Sequence, residues 1–258
     1  MCVQYRQQGT SASFMITVSI VSHQHGVMVT QLLNQLLLFP EVTKVILTLN
    51  VNEELDSPIS DRLVIIRNQL PKGFGANHNA AFQACDTTYF CVLNPDVVLA
   101  TSPFPTLLKQ FSDPQVALVG PLVVAPDGRV EDSIRTFPTP LSLLLKAVGL
   151  SEGRYSVTYG QDNLAPDWIA GMFMLFRSNS FASLNGFDER FFLYYEDVDI
   201  CARIWRSSLK IVACPSVKIV HDARRHSRTL WRYRRWHLRS LVLYLTRYAG
   251  QHPRRARR

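Results

Sequence analysis

The feature that most constrains the fold is a regular alternation of apolar strands and amphipathic helices through the first 120 residues. Residues 15–22 are apolar and β-branched, which predicts a buried strand, and leucines at helical spacing over residues 28–37 predict the helix that follows. The same patterns predict strands over 45–49, 63–66, 89–93 and 116–119, and helices over 76–84 and 103–111. Such alternation predicts an α/β fold, a mostly parallel sheet with helices on both faces.

The second half of the chain is less regular. We predict a strand over 168–176, a short helix over 178–184, a helix over 196–206, and two short strands over 211–213 and 217–220. Because ligands bind beyond the carboxyl ends of parallel strands, the polar segments that follow two of the early strands are candidate parts of a site: residues 22–26 and 94–96.

Composition limits the class of protein. With 47% hydrophobic and 19% charged residues, the chain is globular rather than disordered or fibrous. Its five cysteines are an odd number without a C-x-x-C pair, which argues against a disulfide framework and for a reducing compartment. We find neither an apolar run of the roughly 20 residues that span a membrane nor a signal peptide, so we expect a cytoplasmic protein.

Charge separates a body from a tail. The net charge is +8, yet residues 221–258 hold twelve arginines and a single acid, Asp222. The other 220 residues hold 16 basic and 19 acidic side chains. The body is therefore mildly acidic, and the tail is a cationic element with its own role.

Residues 186–205, GFDERFFLYYEDVDICARIW, combine the densest group of acids with six aromatic residues. Acids in a first helical turn complement the helix dipole, and Asp199 lies four residues before Arg203, as in a simple helix pair. Neither explanation covers an acid packed among aromatic rings, where a carboxylate holds its proton more tightly and suits a general base. From the residues alone both interpretations stay open.

Three further features are individually weak. The segment NPD at 94–96 ends a buried strand, either as a turn or with Asp96 holding a divalent cation on a diphosphate. His221 follows the last strand and gains meaning only if acids lie nearby. The segment GFG at 73–75 opens a helix that carries Asn77, which predicts either a phosphate site or an ordinary helix cap.

Together these segments resemble family 2 glycosyltransferases of the GT-A fold, and within them the bacterial rhamnosyltransferase-like branch. The resemblance runs from Thr17 to His221. TVSIVSHQHG, GFGANHNAAF and VLNPDVVL are similar to the nucleotide-binding half of the family, whereas WIAGMFMLFR and the acid-rich segment 186–205 are similar to its acceptor and catalytic half. The acid-rich segment is the most specific of these matches.

The resemblance implies a role for individual residues. Asp96 would hold a metal ion, Mg²⁺ or Mn²⁺, with His221 completing its coordination. Asp197 would be the catalytic base, and Glu196 would orient it or bind the acceptor. The other acceptor-binding residues would be Trp168, Gly171 and Asp188. The donor-binding residues would be Ser22, His23, Asn50, Glu53, Gly75, Asn77, Asn94 and Arg203.

The sequence departs from the family pattern at two places. The first Asp of the family's D-x-D motif is Asn94 here, which can still accept a bond but brings no charge. The family often has an acid directly after its second strand, where either Asn50 or Glu53 would substitute. Arg203 would be structural or near the diphosphate.

The resemblance also implies an architecture and an activity. Residues 1–222 would form the GT-A domain, with a nucleotide-binding half over 14–120 and an acceptor half over 121–222. The protein would transfer a sugar, L-rhamnose from dTDP-rhamnose, onto a hydroxyl of a glycan or lipid-linked saccharide, with inversion at the anomeric carbon. One alternative is a nucleotidyltransferase, although residues 22–26 lack its basic, glycine-rich signature. Another is a nucleic-acid-binding module that uses the arginine-rich tail, although we expect no specific nucleic acid.

The tail, residues 223–258, predicts a basic amphipathic helix. One stripe would carry Arg228, Arg232, Arg235 and Arg239, and another side Leu230, Tyr233, Leu241, Tyr244 and Tyr248. This pattern is typical of a helix on an anionic membrane surface, here at the cytoplasmic face, which we predict; the alternative is a solvated helix packed on the globule. For the membrane interpretation we expect truncation before Arg224 to abolish attachment and to leave donor binding intact.

Overall fold

A computed structural model describes residues 15–150, 153–222 and 231–249 of the chain. In these ranges the strands are β1 (Ile16–Ser22), β2 (Val42–Leu49), β3 (Leu63–Arg67), β4 (Tyr89–Leu93), β5 (Val97–Val98), β6 (Val116–Val124), β7 (Ile134–Arg135), β8 (Trp168–Ile169), β9 (Phe173–Arg177) and β10 (Lys210–His221). The helices are α1 (Val27–Leu38), α2 (Phe74–Phe82), α3 (Phe104–Leu108), α4 (Pro140–Ala147), α5 (Ser178–Ser183), α6 (Glu196–Arg206) and α7 (Trp231–Arg247).

The main sheet, as far as the described ranges show, has eight strands in the order β3-β2-β1-β4-β9-β6-β10-β5. Four pairs of strands are parallel: β1 with β2, β1 with β4, β2 with β3, and β6 with β10. β9 runs antiparallel between β4 and β6, and β5 runs antiparallel to β10. The predicted α/β fold, a mostly parallel sheet flanked by helices with a helix at its C-terminal end, is confirmed.

Helices cover both faces of this sheet. Alternate residues of β4 face two separate cores, Cys91 and Leu93 on one side and Phe90 and Val92 on the other. The first core receives the buried leucines of α1, and the second receives residues of α5, α6 and α7. Because β1 and β4 are buried between these layers, the loops at their carboxyl ends are the part of the sheet that ligands can reach.

One predicted strand is interrupted. We expected a continuous strand over 168–176, but residues 170–172 separate β8 from β9, and β8 pairs with β7 in a small second sheet. A Cβ on Gly171 would lie 3.0 Å from Cζ of Phe74, so the chain passes close to α2 here. The interruption leaves the backbone N–H of Gly171 available to a side chain outside the sheet.

Two other elements differ from the sequence prediction. The strands predicted over 211–213 and 217–220 are one strand, β10, whose register against β6 shifts between Cys214 and Lys218. Pro215 lies in this irregular part, as expected for a residue that cannot donate a ladder hydrogen bond. α4 was not predicted: Thr139 and Ser142 form a capping box at its start, and the helix buries none of its residues. Its leucines therefore form no buried stripe of the kind that predicts a helix from the sequence.

The C-terminal helix packs on the body of the protein. Tyr244 and Tyr248 are fully buried in the same core as α6, and the Tyr248 hydroxyl donates a 2.8 Å hydrogen bond to Oδ1 of Asp199. The aromatic side that we assigned to a membrane thus faces the protein in this part of the chain, whereas Arg228 and Leu230 lie outside the described residues. Within the described ranges, no helix combines the length and apolar character needed to cross a bilayer.

Candidate active site

A cleft of about 770 Å³ opens at the carboxyl ends of β1 and β4. The sequence-predicted residues that line it are His23, Asn94, Asp96, Gly171, Glu196 and Asp197. They converge because β1 and β4 are adjacent parallel strands, and because α6 begins beside the interruption that holds Gly171. Side chains from the two halves of the chain thus meet in one place.

Asp197 occupies the first turn of α6 and faces the cleft. Its Oδ1 accepts a hydrogen bond from the Val198 N–H at 2.8 Å, and its Oδ2 accepts one from the Gly171 N–H at 3.0 Å. Burial raises the pKa of Asp197, and these two hydrogen bonds only partly offset that effect. The carboxylate is held in one orientation and is more basic than a solvated aspartate, which suits proton abstraction.

Glu196 lies deeper than Asp197. It is buried, and its Oε2 has no hydrogen-bond partner among the residues that the structure describes. Burial, followed by the nearby charge of Asp197, raises the pKa of Glu196 well above its ordinary value. Both effects favour the protonated, uncharged form of the Glu196 carboxyl.

Backbone strain marks the approach to α6. Tyr194 and Tyr195 have φ values of 69°, in the left-handed region that non-glycine residues rarely adopt. The ring of His237 in α7 contacts both tyrosine rings, with centroid distances of 5.5 and 5.4 Å. Such conformations persist where surrounding packing enforces them, and they cluster at functional sites.

Asp96 lines the cleft, and its carboxylate lies beside the ring of His221. Asp96 Oδ1 and His221 Nε2 lie 3.1 Å apart, yet both atoms are buried and neither makes a well-aligned hydrogen bond within the described part of the chain. His221 Nδ1 contacts Glu131 Oε2 at 2.8 Å. Burial lowers the pKa of His221, but the two carboxylates outweigh that effect and leave it above its ordinary value.

These two buried atoms, close together but without a well-aligned hydrogen bond, fit a divalent cation. One carboxylate oxygen and one imidazole nitrogen are ligands that Mn²⁺ accepts, with the remaining positions left to water and substrate phosphates. When a histidine binds a metal through one nitrogen, a carboxylate on its other nitrogen fixes the orientation of the ring. Glu131 occupies that position beside His221. Across the described residues, no group of three or more His, Cys, Asp or Glu side chains could hold a metal by itself. Oxygens of the substrate would therefore have to complete the coordination.

Two predicted donor-binding residues, Ser22 and Glu53, hold the loop after β1 in place through hydrogen bonds. The Glu53 carboxylate accepts hydrogen bonds from the Ser22 hydroxyl at 2.6 Å, the Gly26 N–H at 2.8 Å and the Gln24 N–H at 3.0 Å. Burial raises the pKa of Glu53, but these bonds outweigh burial and lower it overall. Neither Ser22 nor Glu53 lines the cleft, because both side chains are used to hold this loop.

An amide network fixes the loop before α2. Asn50 accepts a hydrogen bond from the Lys72 N–H at 2.8 Å and donates one to the Lys72 carbonyl at 2.9 Å. Asn68 donates to both Asn50 and Asn77 at 2.7 Å. Asn50 also lies 3.0 Å from Nε2 of His23, whose pKa is lowered chiefly by burial. The network presents the exposed side chain of Lys72 at the cleft.

The remaining predicted residues lie outside the cleft lining. Gly75 packs against Phe187, where a Cβ would come within 2.7 Å of the Phe187 Cβ. The Trp168 indole donates to the Thr136 carbonyl at 2.9 Å. Asp188 pairs with Arg190 and Arg247, chiefly the former, which lowers its pKa to about 2. Asn77 is buried within the amide network.

Arg203 has a structural environment. It pairs with the fully buried carboxylate of Asp199 at 2.8 Å and donates to the carbonyls of Leu184 at 2.6 Å and Gly186 at 2.7 Å. These contacts tie α6 to the turn after α5. Of the two roles that the sequence left open for Arg203, its contacts support the structural one.

Sequence reasoning missed several residues of the site. Lys72 and the α7 residues Arg232, Tyr233 and Trp236 line the cleft. The Trp236 ring stacks on Phe192 with centroids 4.7 Å apart, and the Arg232 guanidinium lies 5.2 Å from the Trp236 centroid. The arginines and aromatic residues of the tail were visible in the sequence, but only the packing of α7 brings them to the site.

Comparisons with known proteins agree with this geometry. The family model described as "Glycosyltransferase like family 2" matches residues 13–241. The chain is 28% identical over 247 residues to the rhamnosyltransferase WbbL of Escherichia coli (strain K12), covering 90% of this chain and 93% of that protein. It is 33% identical over 139 residues to the N-acetylglucosaminyl-diphospho-decaprenol L-rhamnosyltransferase of Mycobacterium tuberculosis (strain ATCC 25618 / H37Rv), covering 50% of this chain and 45% of that enzyme.

Solved structures show the same fold. GalNAc-T7 with UDP, GalNAc and Mn²⁺ aligns with a TM-score of 0.62 and 15% identity, covering 90% of this chain and 47% of that one. The mannosyltransferase PcManGT from Pyrobaculum calidifontis, in complex with GDP-Man and Mn²⁺, aligns with a TM-score of 0.59 and 14% identity, covering 90% and 64%. The predicted GT-A architecture is therefore confirmed. Since the family model covers most of the chain, this protein belongs to the glycosyltransferase-like family 2.

Proposed function

We propose that the protein transfers L-rhamnose from dTDP-rhamnose, with inversion, onto a hydroxyl group of a lipid-linked saccharide. The observation that carries this proposal is Asp197, an oriented carboxylate of raised pKa in the same cleft as Asp96. Two relatives named as rhamnosyltransferases support the sugar, and the name of one includes a diphospho-decaprenol acceptor. The nucleotidyltransferase and nucleic-acid alternatives have no comparable support.

In this proposal Asp197 accepts the proton of the acceptor hydroxyl. The acceptor oxygen then forms a bond to the anomeric carbon as the bond from that carbon to the diphosphate breaks, so the electron pair leaves with the nucleoside diphosphate. A single base suffices, because inversion needs no covalent sugar intermediate. The N–H groups of Gly171 and Val198 keep the carboxylate in place throughout.

Charge on the leaving diphosphate has to be offset. Asp96 and His221 are the residues that would hold Mg²⁺ or Mn²⁺, and such a cation, when bound, stabilises the developing negative charge. Lys72 and Arg232 add two basic side chains to the cleft walls. The loop that Glu53 orders and the His23–Asn50 pair would border the nucleoside.

We extend the proposal to the place where the protein works. A transferase with a lipid-linked acceptor would act at the cytoplasmic face of a membrane, attached through its basic C-terminal residues. The excess of arginine over acid in residues 221–258 supports this attachment.

The decisive experiment uses Asp197→Asn, with Asp127→Asn as a matched control in an exposed turn. Asp197→Asn should reduce transfer from dTDP-rhamnose by roughly 10²–10⁴-fold, the usual contribution of a general base, with donor binding unchanged. The parent rate should fall as pH is lowered through the raised pKa of Asp197, because the base must be ionised. An Asp197→Asn variant that transfers at the parent rate would disprove the assignment. Transfer from other nucleotide sugars but not dTDP-rhamnose would disprove the donor.

A further inference from the structure

Two neighbouring helices expose apolar side chains. In α7, Trp231, Leu238 and Val242 are each more than half exposed, and their spacing of seven and four residues puts them on one face. Leu141 and Leu144 in α4, and Val148 at its C-terminal cap, are likewise more than half exposed at spacings of three and four residues. Isolated exposed apolar residues are ordinary, but two aligned rows are not.

The two helices are neighbours. The charge of Lys146 in α4 reaches His237 in α7, where it adds to the larger effect of burial in lowering the pKa of that histidine. The opposite side of α7 faces the protein, since Ser240 is buried and donates a 2.9 Å hydrogen bond to the Leu193 carbonyl. The apolar row of α7 therefore points away from the body.

Charge identifies the kind of partner. Neither α4 nor α7 contains an acidic residue. Arg234, Arg235 and Arg239 are exposed and flank the apolar row of α7, and Lys146 is exposed on α4. Apolar side chains bordered by cations, with an exposed tryptophan at one end, fit the interface of a bilayer that contains anionic lipid.

We infer that the exposed faces of α4 and α7 together form a surface that docks on an anionic membrane. This membrane surface comprises Leu141, Leu144, Val148, Trp231, Leu238 and Val242 with the surrounding arginines. It differs from the surface that the sequence suggested, because Tyr244 and Tyr248, expected to enter the bilayer, are core residues and α4 was not foreseen.

The surface lies next to the cleft. Arg232 and Tyr233 lie within one turn of Trp231 and Trp236 lies on the next turn, and all three line the cleft that holds Asp197. A bilayer against α7 would therefore bring a lipid-linked acceptor to the mouth of the site. This consequence rests on the proposed transfer reaction, whereas the membrane surface itself deepens the attachment proposed above.

The test is sedimentation with vesicles of phosphatidylcholine alone or mixed with phosphatidylglycerol. The variant Leu141→Ser/Leu144→Ser/Leu238→Ser/Val242→Ser should lose roughly tenfold or more of its partition onto anionic vesicles, since binding scales with buried apolar area. Arg235→Gln/Arg239→Gln should lose partition in low salt only. The control Leu38→Ser/Leu70→Ser removes two leucines elsewhere that are even more exposed, and it should bind like the parent.

Failure of this inference can be told apart from failure of the proposed function. Transfer to a water-soluble acceptor should be unchanged in the four-residue variant, because none of its positions lines the cleft. Equal partition of parent and variant onto anionic vesicles would overturn the membrane surface. So would a lipid-free dimer, seen by analytical ultracentrifugation, that the same four substitutions dissociate, because the faces would then pair with a second copy.

Discussion

At the scale of single residues, Asp197 combines two influences that usually oppose each other. Burial favours the protonated carboxyl, whereas the N–H groups of Gly171 and Val198 favour the carboxylate. The result is a carboxylate with fixed orientation and a raised pKa, as the proposed base requires. One N–H group comes from Gly171, 26 residues before Asp197, which is why the pattern of acids alone could not rank Asp197 above Asp199.

Glu131 is the residue whose role is most open to test. It contacts Nδ1 of His221 at 2.8 Å and so would orient the opposite nitrogen toward a cation. Glu131→Gln should therefore raise the Mn²⁺ concentration needed for half-maximal transfer by roughly 10–100-fold, the usual cost of losing such a partner. Titration of activity with Mn²⁺ after chelation measures this shift.

The control for Glu131 is the exposed Glu54, replaced by glutamine. Glu54→Gln should leave the titration where the parent has it. If Glu131→Gln also leaves the titration unchanged, His221 needs no orientation by this carboxylate and the cation site is wrong as proposed.

At the scale of elements, Arg203 links α6 to the turn after α5. It joins the buried Asp199 of α6 to the carbonyls of Leu184 and Gly186. Breaking a buried pair by removing one partner is costly, so Arg203→Gln should reduce the free energy of unfolding by about 3 kcal/mol. Urea denaturation followed by circular dichroism gives this value.

Arg129, whose pair with Asp127 is exposed, provides the comparison. Arg129→Gln should cost no more than about 1 kcal/mol, as is usual for surface pairs. An Arg203→Gln protein of parent stability whose KM for the donor has risen would assign Arg203 to the diphosphate instead.

The elements also show which parts of the fold a sequence pattern can predict. β1 and α1 were predicted because all of β1 is buried and the leucines of α1 line one face. α4 was missed because it buries none of its residues, and the direction of β9 depends on its neighbours, β4 and β6. For the same reason Lys72 and Glu131 joined the site only once distant segments were packed together.

At the scale of the whole molecule, α7 has three distinct sides. One side, with Tyr244 and the adjoining Tyr248, packs in the core beside α6. A second side, with Arg232 and Trp236, lines the cleft. The third, with Leu238, faces outward. One helix thus connects folding, the site and the proposed membrane surface. The sequence showed the composition of this helix but assigned its tyrosines to a membrane, because amphipathic patterns do not distinguish a bilayer from a protein core.

This integration changes what truncation of the chain should do. From the sequence we expected removal of the tail to leave donor binding intact, but a chain ending before Arg224 loses Tyr244 and Tyr248, both fully buried. Loss of a buried aromatic side chain typically costs about 3–5 kcal/mol, and two of them approach the roughly 5–15 kcal/mol that holds a whole domain together. We therefore expect the chain ending at residue 223 to lose its cooperative thermal transition. A chain ending after Ala249 retains both tyrosines and should melt like the parent in differential scanning calorimetry. A chain ending at 223 that melts cooperatively at the parent temperature would show that α7 is dispensable for the fold.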